Sequence, residues 1–587
     1  MSDYQAPLEE MNFVINRLLD LPNFALSIGN EDASEDLLQA VLSEANKLAN
    51  GVWSPINYAG NQQGVKLTDT GVKSADGFKQ AYQEYAQGGW NSLYFDEQYG
   101  GQGLPFTFSM PVAEMINSAN VSLALCPLLT TGAIEAIAAH GSEQIKDTYL
   151  AKMISGEWTG TMNLTEPHAG TDLAAITTTA KPNGDHFLVK GQKIYITWGD
   201  HDMTDNIIHL VLAKLPDAPE GVKGISLFIV PKFLVNVDGS LGERNDVHAI
   251  NVEHKLGIHA SPTCVMSYGD HGGAIGYLVG QPHQGLAAMF TMMNNARLLV
   301  GLQGVSLSER AYQAALEYAR ERVQCAAPGS KHRGAIIHHP DVRRMLMTMR
   351  SVTEASRAIA YATASQIDLS HNSADAATRG LALKRVGLLT PIAKGWCTEL
   401  SQEVTSLGVQ VHGGMGFIEE TGVAQYSRDA RILTIYEGTT GIQALDLVGR
   451  KTLFDQGGAM ADLVQQMRDD LALHGHAVSQ RHQGYMSEAI VGLESSYRQL
   501  LEDAQGDVMF AGAISFDLLM LSGYVCGAWQ MIKSAGLVAK EDNEKFKANK
   551  MTTVAYYLDH ILPRFEAHRR SIASGSISVM AIDADDF

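Results

Sequence analysis

Cysteine is scarce: five residues in 587, at positions 126, 264, 325, 397 and 526, and no two of them in CxxC spacing. An odd, scattered set speaks against a disulfide framework or a thiolate zinc site and fits a reducing compartment. Positive charge is also short, with 44 Lys and Arg against 64 Asp and Glu and a formal charge of −20. A polyanion of this size repels phosphate backbones, so nucleic acid is not expected as a general partner. The start, MSDYQAPLEEMNF, lacks a basic stretch followed by an apolar run, and no secretory signal is read there. The most apolar stretch, Met509 to Ile532, is long enough to cross a bilayer, but it carries Asp517, Gln530, Gly512, Gly523 and Gly527. It is read as a buried bundle helix, so no integral membrane segment is expected and the location is taken as cytoplasmic. Neither GxGxxG nor GxxxxGKS/T occurs, which leaves nicotinamide-Rossmann and P-loop chemistry without their motifs.

What is present is globular: 45% apolar and 18% charged residues, in a chain too long for one core. Residues 1–158 read as helical, with three- and four-residue apolar spacing in SEDLLQAVLSEANKLAN (34–50) and GFKQAYQEYAQGGW (77–90). A glycine-rich loop, DEQYGGQGLP (96–105), interrupts them. From 159 the texture becomes short stretches rich in Ile, Val, Leu and Tyr, among them HFLVKGQKIYIT (186–197), NIIHLVLAKL (206–215) and TCVMSYG (263–269). Turn residues separate them, including PNGD at 182–185, which predicts an antiparallel sheet or small barrel. Helical texture returns at about 282 and runs to the end, with a boundary near 455–458. The fold class is therefore α+β and multidomain. It comprises an N-terminal helical domain (1–158), a middle antiparallel, barrel-like β-domain (159–281), a helical bundle (282–454) and an additional helical domain (455–587).

Three segments offer chemistry. TMNLTEPHAGTDLAAI (161–176) takes a strand into a turn that presents backbone N–H groups and the hydroxyls of Thr165 and Thr171. Most such turns only connect elements. In KIYIT, Tyr195 and Thr197 stand two apart, on one face of a strand, where a ring and a hydroxyl wall a flat ligand. An ordinary half-buried strand looks the same. In QVHGGMGF (410–417) three glycines permit close backbone approach, and downstream Glu437 sits between Tyr436 and Gly438. A carboxylate losing water there has its pKa raised towards that of a base; a surface glutamate is the plain alternative.

Taken together, in order and spacing, TEPHAGTD, KIYIT, the AR…G…G helix, QVHGGMGF and IYEGT resemble the flavin-dependent acyl-CoA dehydrogenase family over roughly residues 35–450. The N-terminal start and the helical extension are similar to its larger bacterial subgroup, which includes long-chain acyl-CoA and methylthiopropanoyl-CoA dehydrogenases. The resemblance implies FAD lying between the β-domain and the bundle, with a neighbouring subunit completing the site, hence a homo-oligomer. It places Met162, Leu164 and Thr165 at the flavin ring, Tyr195 and Thr197 beside it, and Gly170 with Thr171 at the cofactor's middle or the pantetheine. Many members have Trp where this chain has Tyr195. Arg322 and Gln324 match positions that hold the FAD pyrophosphate across the dimer, and Arg suits phosphate by its bidentate fork. Gln410, Gly413 and Gly414 match the adenosine-side loop, and Thr439 another FAD contact. Thr171, Asn294, Arg297, Tyr436 and Gly438 fall on the substrate side, Asn294 where many members have Asp.

Glu437 matches the family's catalytic base, which would take the α-proton while flavin N5 takes the β-hydride. Some members carry that glutamate one residue before the substrate-side arginine; here the position is Ala296. The electron acceptor implied is an electron-transfer flavoprotein. An acyl-CoA oxidase is the alternative with the same base; the DADDF end, which lacks a peroxisomal signal, favours the dehydrogenase. A DNA-binding relative with a basic C-terminal region is the alternative of another class. Residues 455–587 instead mix HRR (568–570) with EDAQGD, KEDNE and DADD, a poor duplex-binding face.

Overall fold

The short apolar stretches between 158 and 279 fold as an eight-stranded sheet. In this computed structural model residues 4–587 are described, without the side chains of Thr291, Met292 and Asn294. The strands are β1 (Trp158–Asn163), β2 (Thr179–Asn183), β3 (His186–Thr197), β4 (Asn206–Lys214), β5 (Ile225–Pro231), β6 (Val247–Val252), β7 (Thr263–Tyr268) and β8 (Ala274–Val279). They lie in the order β6-β7-β3-β8-β5-β4-β1, with β2 beside β3 and touching β4. The pairing is antiparallel except that β1 runs parallel to β4, Trp158 opposite Asn206, and β2 meets β4 in parallel at Thr179 and Lys214. The expected turn at 182–185 is narrower than its composition indicates: Pro182 and Asn183 still pair in β2, and Gly184 at φ +68° makes the reversal into β3. Val189, Ile196, Val211, Phe228, Val230, Met266 and Tyr268 form the core of the sheet.

The chain divides into two compact units. One holds Ala45–Leu104 and Met115–Ala296, with the sheet in it; the other holds Met1–Glu44, Pro105–Glu114 and Arg297–Phe587. The second unit is helical. The helices used below are α1 (Phe106–His140), α2 (Glu143–Ile154), α3 (Gly285–Glu321), α4 (Pro340–Asn372), α5 (Ala376–His412), α6 (Val423–Arg431), α7 (Thr440–Leu445), α8 (Phe510–Val538) and α9 (Glu544–Tyr556). Of these, α2 belongs to the sheet unit, and α1 and α3 are the shared pair.

Glycines set the close approaches in the helical unit. A Cβ on Gly301 would lie 2.8 Å from Ala393 O, and one on Gly304 2.8 Å from Cys397 O, so α3 and α5 touch backbone to backbone. This is the physical use of the paired glycines after Arg297. On the other side of α5, Gly523 of α8 meets Trp396 and Gly395 meets Leu519. The apolar stretch at 509–532 is thus a packed bundle helix; it and α1 are both long and apolar enough to cross a membrane, and most of each apolar window is buried. Its one central charge, Asp517, places Oδ1 2.7 Å from Nδ1 of His568. Residues 455–587 fall in the same compact unit as the bundle.

Candidate active site

In the sheet unit, the loop after β1 is built around one carboxylate. Glu166 accepts hydrogen bonds from Thr177 N (2.7 Å), Thr177 Oγ1 (2.8 Å), Thr178 N (3.1 Å) and Thr178 Oγ1 (2.6 Å), and pairs with Lys193 Nζ at 2.9 Å. Burial pushes its pKa up, but the ammonium and the four donors outweigh that and hold it at about 2. Lys193 also donates to Leu164 O, and Ile194 N donates to Thr165 O, each at 2.9 Å. These bonds bring Leu164 and Thr165 against the end of β3, where Tyr195 and Thr197 stand.

Between Met266–Lys193 and Cys264–Ile196, two β3 residues oppose one of β7. Tyr195 occupies this bulge at φ +60°. The bulge turns its ring outward, 62% exposed, next to buried Ile196 and half-buried Thr197. A bulge is invisible to period-two reasoning, which is why alternation alone favours an ordinary half-buried strand here. Met162 is buried at the end of β1, Leu164 and Thr165 are half-buried, and Gly170 and Thr171 are exposed. A Cβ on Gly170 would meet nothing within 4 Å, so no local packing demands glycine there.

In the helical unit, Glu437 sits on the loop joining α6 to α7. The loop is fastened from several sides. Lys394 Nζ donates to Leu433 O at 2.8 Å and Gln402 Nε2 to Ala430 O at 2.7 Å. Thr440 Oγ1 donates to Glu399 Oε1 at 2.6 Å, and Gln443 Nε2 donates to the carbonyls of Glu437 and Gly438 at 3.3 Å each. Tyr436 OH donates to Gln303 of α3. Thr439 is the N-cap of α7, its Oγ1 accepting Ile442 N at 3.2 Å. Held this way, Glu437 takes φ +54° and Gly438 φ +89°, a left-handed pair. A non-glycine residue there costs about 1–3 kcal/mol, an outlay that surrounding structure must offset and that clusters at functional sites.

The Glu437 carboxylate is half-buried and accepts no hydrogen bond among the described residues. Burial raises its pKa above the ordinary carboxylate value, and the charges of Arg297 and Lys394 oppose the rise. Arg297 is buried, 4.0 Å from Asp446 Oδ2, with its Nε lacking a hydrogen-bond partner. A carboxylate left unpaired, slightly basic and flanked by two cations is equipped to take a proton.

The remaining expected residues are exposed. Arg322 follows α3, and Gln324 lies in the short hairpin beyond it (Val323–Ala326 with Arg333–Ala335), their carbonyls accepting Ile336 N and His339 Nε2. Gln410, Gly413 and Gly414 lie at the end of α5, where Gly413 takes φ +59°. Ala296 is buried on α3, and the Asn294 side chain lies outside the described residues. Lys394, Gln303, Gln402 and Gln443 escaped the sequence reading. Lysine inside the apolar run LLTPIAKGWC was the one signal available.

Four family models match in chain order. They are described as Acyl-CoA dehydrogenase, N-terminal domain, over 68–157; middle domain, over 161–270; C-terminal domain, over 283–452; and Acetyl-CoA dehydrogenase C-terminal like, over 462–583. The chain is 43% identical to the 3-methylmercaptopropionyl-CoA dehydrogenase of Ruegeria pomeroyi, across 98% of this chain and 99% of that one. The chain belongs to the acyl-CoA dehydrogenase family. As a member it is an oxidoreductase acting on the CH–CH bond of acyl-CoA thioesters. A butyryl-CoA dehydrogenase of Syntrophomonas wolfei is 35% identical over 96% of this dehydrogenase and 95% of its own length. The fold matches an acyl-CoA dehydrogenase of Bacillus anthracis, solved complexed with FAD, at a TM-score of 0.74 and 21% identity, covering 92% and 89% of the two chains.

Proposed function

We propose that this dehydrogenase introduces the α,β-double bond into a short, unbranched acyl-CoA, with Glu437 as the base that removes the α-proton. The observation that carries the reading is the free carboxylate of Glu437, fixed on a left-handed turn by Lys394, Gln443 and Gln402 beside Arg297. FAD, when bound, supplies the acceptor for the β-hydride. The chain's own residues fit that group: the β3 bulge holds the Tyr195 ring uncovered beside Thr197, with Leu164 and Thr165 stitched to the same strand end. Arg322 and Gln324, exposed after α3, serve the pyrophosphate of a second subunit's FAD, so the working unit is at least a dimer. An electron-transfer flavoprotein is the electron acceptor.

The α-proton of a thioester is a weak acid, so its removal needs a base of matched pKa and a stabilised enolate oxygen. Burial has already moved Glu437 upward, and an acyl chain lying over the carboxylate removes more water and moves it further. Arg297 and Lys394 oppose that rise and favour the ionised form. In this reading the backbone N–H of Glu437, on its left-handed turn, donates to the thioester oxygen as negative charge develops there. Among the relatives matched over nearly their full lengths, three are named for 3-methylmercaptopropionyl-CoA or butyryl-CoA, which supports a short chain, and a fourth, of Mycobacterium tuberculosis, is named a broad-specificity linear acyl-CoA dehydrogenase, which supports an unbranched one.

The test is Glu437→Gln, assayed for flavin bleaching with butyryl-CoA and with 3-methylmercaptopropionyl-CoA. Turnover is expected to fall at least about 10²–10⁴-fold with FAD still bound, because charge is lost and shape is kept. Near wild-type bleaching in that variant would overturn the assignment.

A further inference from the structure

We propose that Lys394 is a positioning residue for Glu437, its buried ammonium fixing the loop that carries the base and supplying a fixed positive charge to the carboxylate. The inference rests on Glu437 being the base. Lys394 lies on α5 and is 0% exposed, yet it forms no ion pair within 4 Å among the described residues; its printed hydrogen bond goes to Leu433 O at 2.8 Å. A lysine sealed in a helical bundle without a bonded carboxylate is costly to desolvate, and such a cost persists where something depends on the charge.

The packing shows how the lysine is held. Gly301 of α3 lets the α5 backbone approach until a Cβ there would lie 3.2 Å from Lys394 N. Lys394 is therefore locked at its root by the α3–α5 contact and at its tip by the Leu433 carbonyl, four residues before the base. Any sway of the 433–438 loop would have to break that bond. Gln402 and Gln443 hold the two flanks of the loop through carbonyl groups, but both are neutral, so the positive charge that α5 brings to the loop is that of Lys394.

The charged and titratable groups facing the pair come from three directions. Arg297 faces it from α3, with Asp446 and Arg450 behind; Glu399 faces it from α5; Tyr436 is on the loop itself. Glu399 is already accepting from Thr440 Oγ1. Burial brings Lys394 down to about 7, so below that pH the ammonium is charged, and it opposes the rise that burial gives the Glu437 carboxyl. A cation nearby stabilises the carboxylate form; remove it and the carboxyl pKa rises, so the acid limb of the rate profile moves to higher pH.

The experiment compares kcat/KM against pH for wild type, Lys394→Met, Lys394→Gln and Lys394→Arg holoenzymes with butyryl-CoA, alongside Glu437→Gln. The expected result is an acid limb displaced upward by about one pH unit in Lys394→Met. Alongside it, kcat should fall about tenfold or more with KM little changed, and Lys394→Arg should restore the limb. Should Lys394→Met fail to retain FAD, the same displacement is expected in Lys394→Gln, which keeps a donor but no charge. An acid limb at the wild-type pH in the neutral variant that retains FAD overturns the proposal, as does a Lys394→Arg limb displaced as far as the neutral one. If Glu437→Gln is itself active, the reading of the base fails instead, and the two failures are told apart.

Discussion

At the scale of single residues, the most heavily loaded group outside the loop of the base is Glu166. Its side chain is 1% exposed, pairs with an equally buried Lys193, and carries the 164–178 loop on four donors. A carboxyl held at about 2 in the folded chain rather than 4.5 contributes on the order of 3 kcal/mol of stability. Because the folded value is depressed, that contribution is complete above about pH 4.5 and is lost as pH falls towards 2. Glu166→Gln should therefore melt lower at pH 7 and show a flatter loss of stability between those limits. Thermal melts across the acid range check it; parallel curves for the two proteins would contradict the account. Glu166 was part of a quoted motif, but its role was not legible there. The sequence marks Thr165 and Gly170 as ligand-facing turn residues, whereas the residue between them that shapes the loop needs Lys193, Thr177 and Thr178 from elsewhere. The same limit applies to Lys394, whose partner carbonyl lies 39 residues away.

At the scale of elements, the sheet strands were largely readable because each is a short apolar run between turn residues, and β3 matches its predicted bounds of 186–197. What composition could not give is pairing. The parallel β1–β4 contact joins strands more than 40 residues apart, and β8 (AIGYLV) is a run with glycine at its centre. Helix α8 shows the reverse case, where glycines that weaken a membrane reading turn out to be contact points. A Cβ on Gly523 would sit 2.1 Å from Trp396 Cγ, while one on Gly512 would meet nothing within 4 Å. Gly523→Ala is expected to destabilise by about 1–3 kcal/mol through overpacking against α5. Gly512→Ala on the same helix should be neutral or stabilising by up to about 1 kcal/mol, since it gains helix propensity in open space. Denaturation midpoints of the two variants decide this, and equal effects would mean that the α8 backbone at Gly523 does not abut the Trp396 side chain.

At the scale of the whole molecule, the question is what residues after 457 do. Their boundary is legible as a glycine-containing turn, and a separate family model covers 462–583, which encourages the image of an appended domain. The contacts argue otherwise. Helix α8 packs on α5, the helix that holds Lys394, through Gly395 and Gly523. Lys550 of α9 pairs with Glu10 at 2.5 Å and Glu354 at 2.6 Å, all three buried, and Arg564 grips Glu403 of α5 through both its terminal nitrogens at 2.6 and 2.9 Å. Deleting residues 458–587 would strip the apolar face of α5 and leave Glu10 and Glu354 without their shared cation. Breaking one such buried pair alone costs about 3–5 kcal/mol, a large part of the 5–15 kcal/mol by which a native fold is stable. The fragment ending at Gly457 is therefore expected to aggregate or to fail to retain FAD, even though it contains the whole 164–171 loop, Tyr195 and Glu437. A soluble, monodisperse fragment with a flavin spectrum would show instead that the extension is dispensable packing, and that the bundle closes without it.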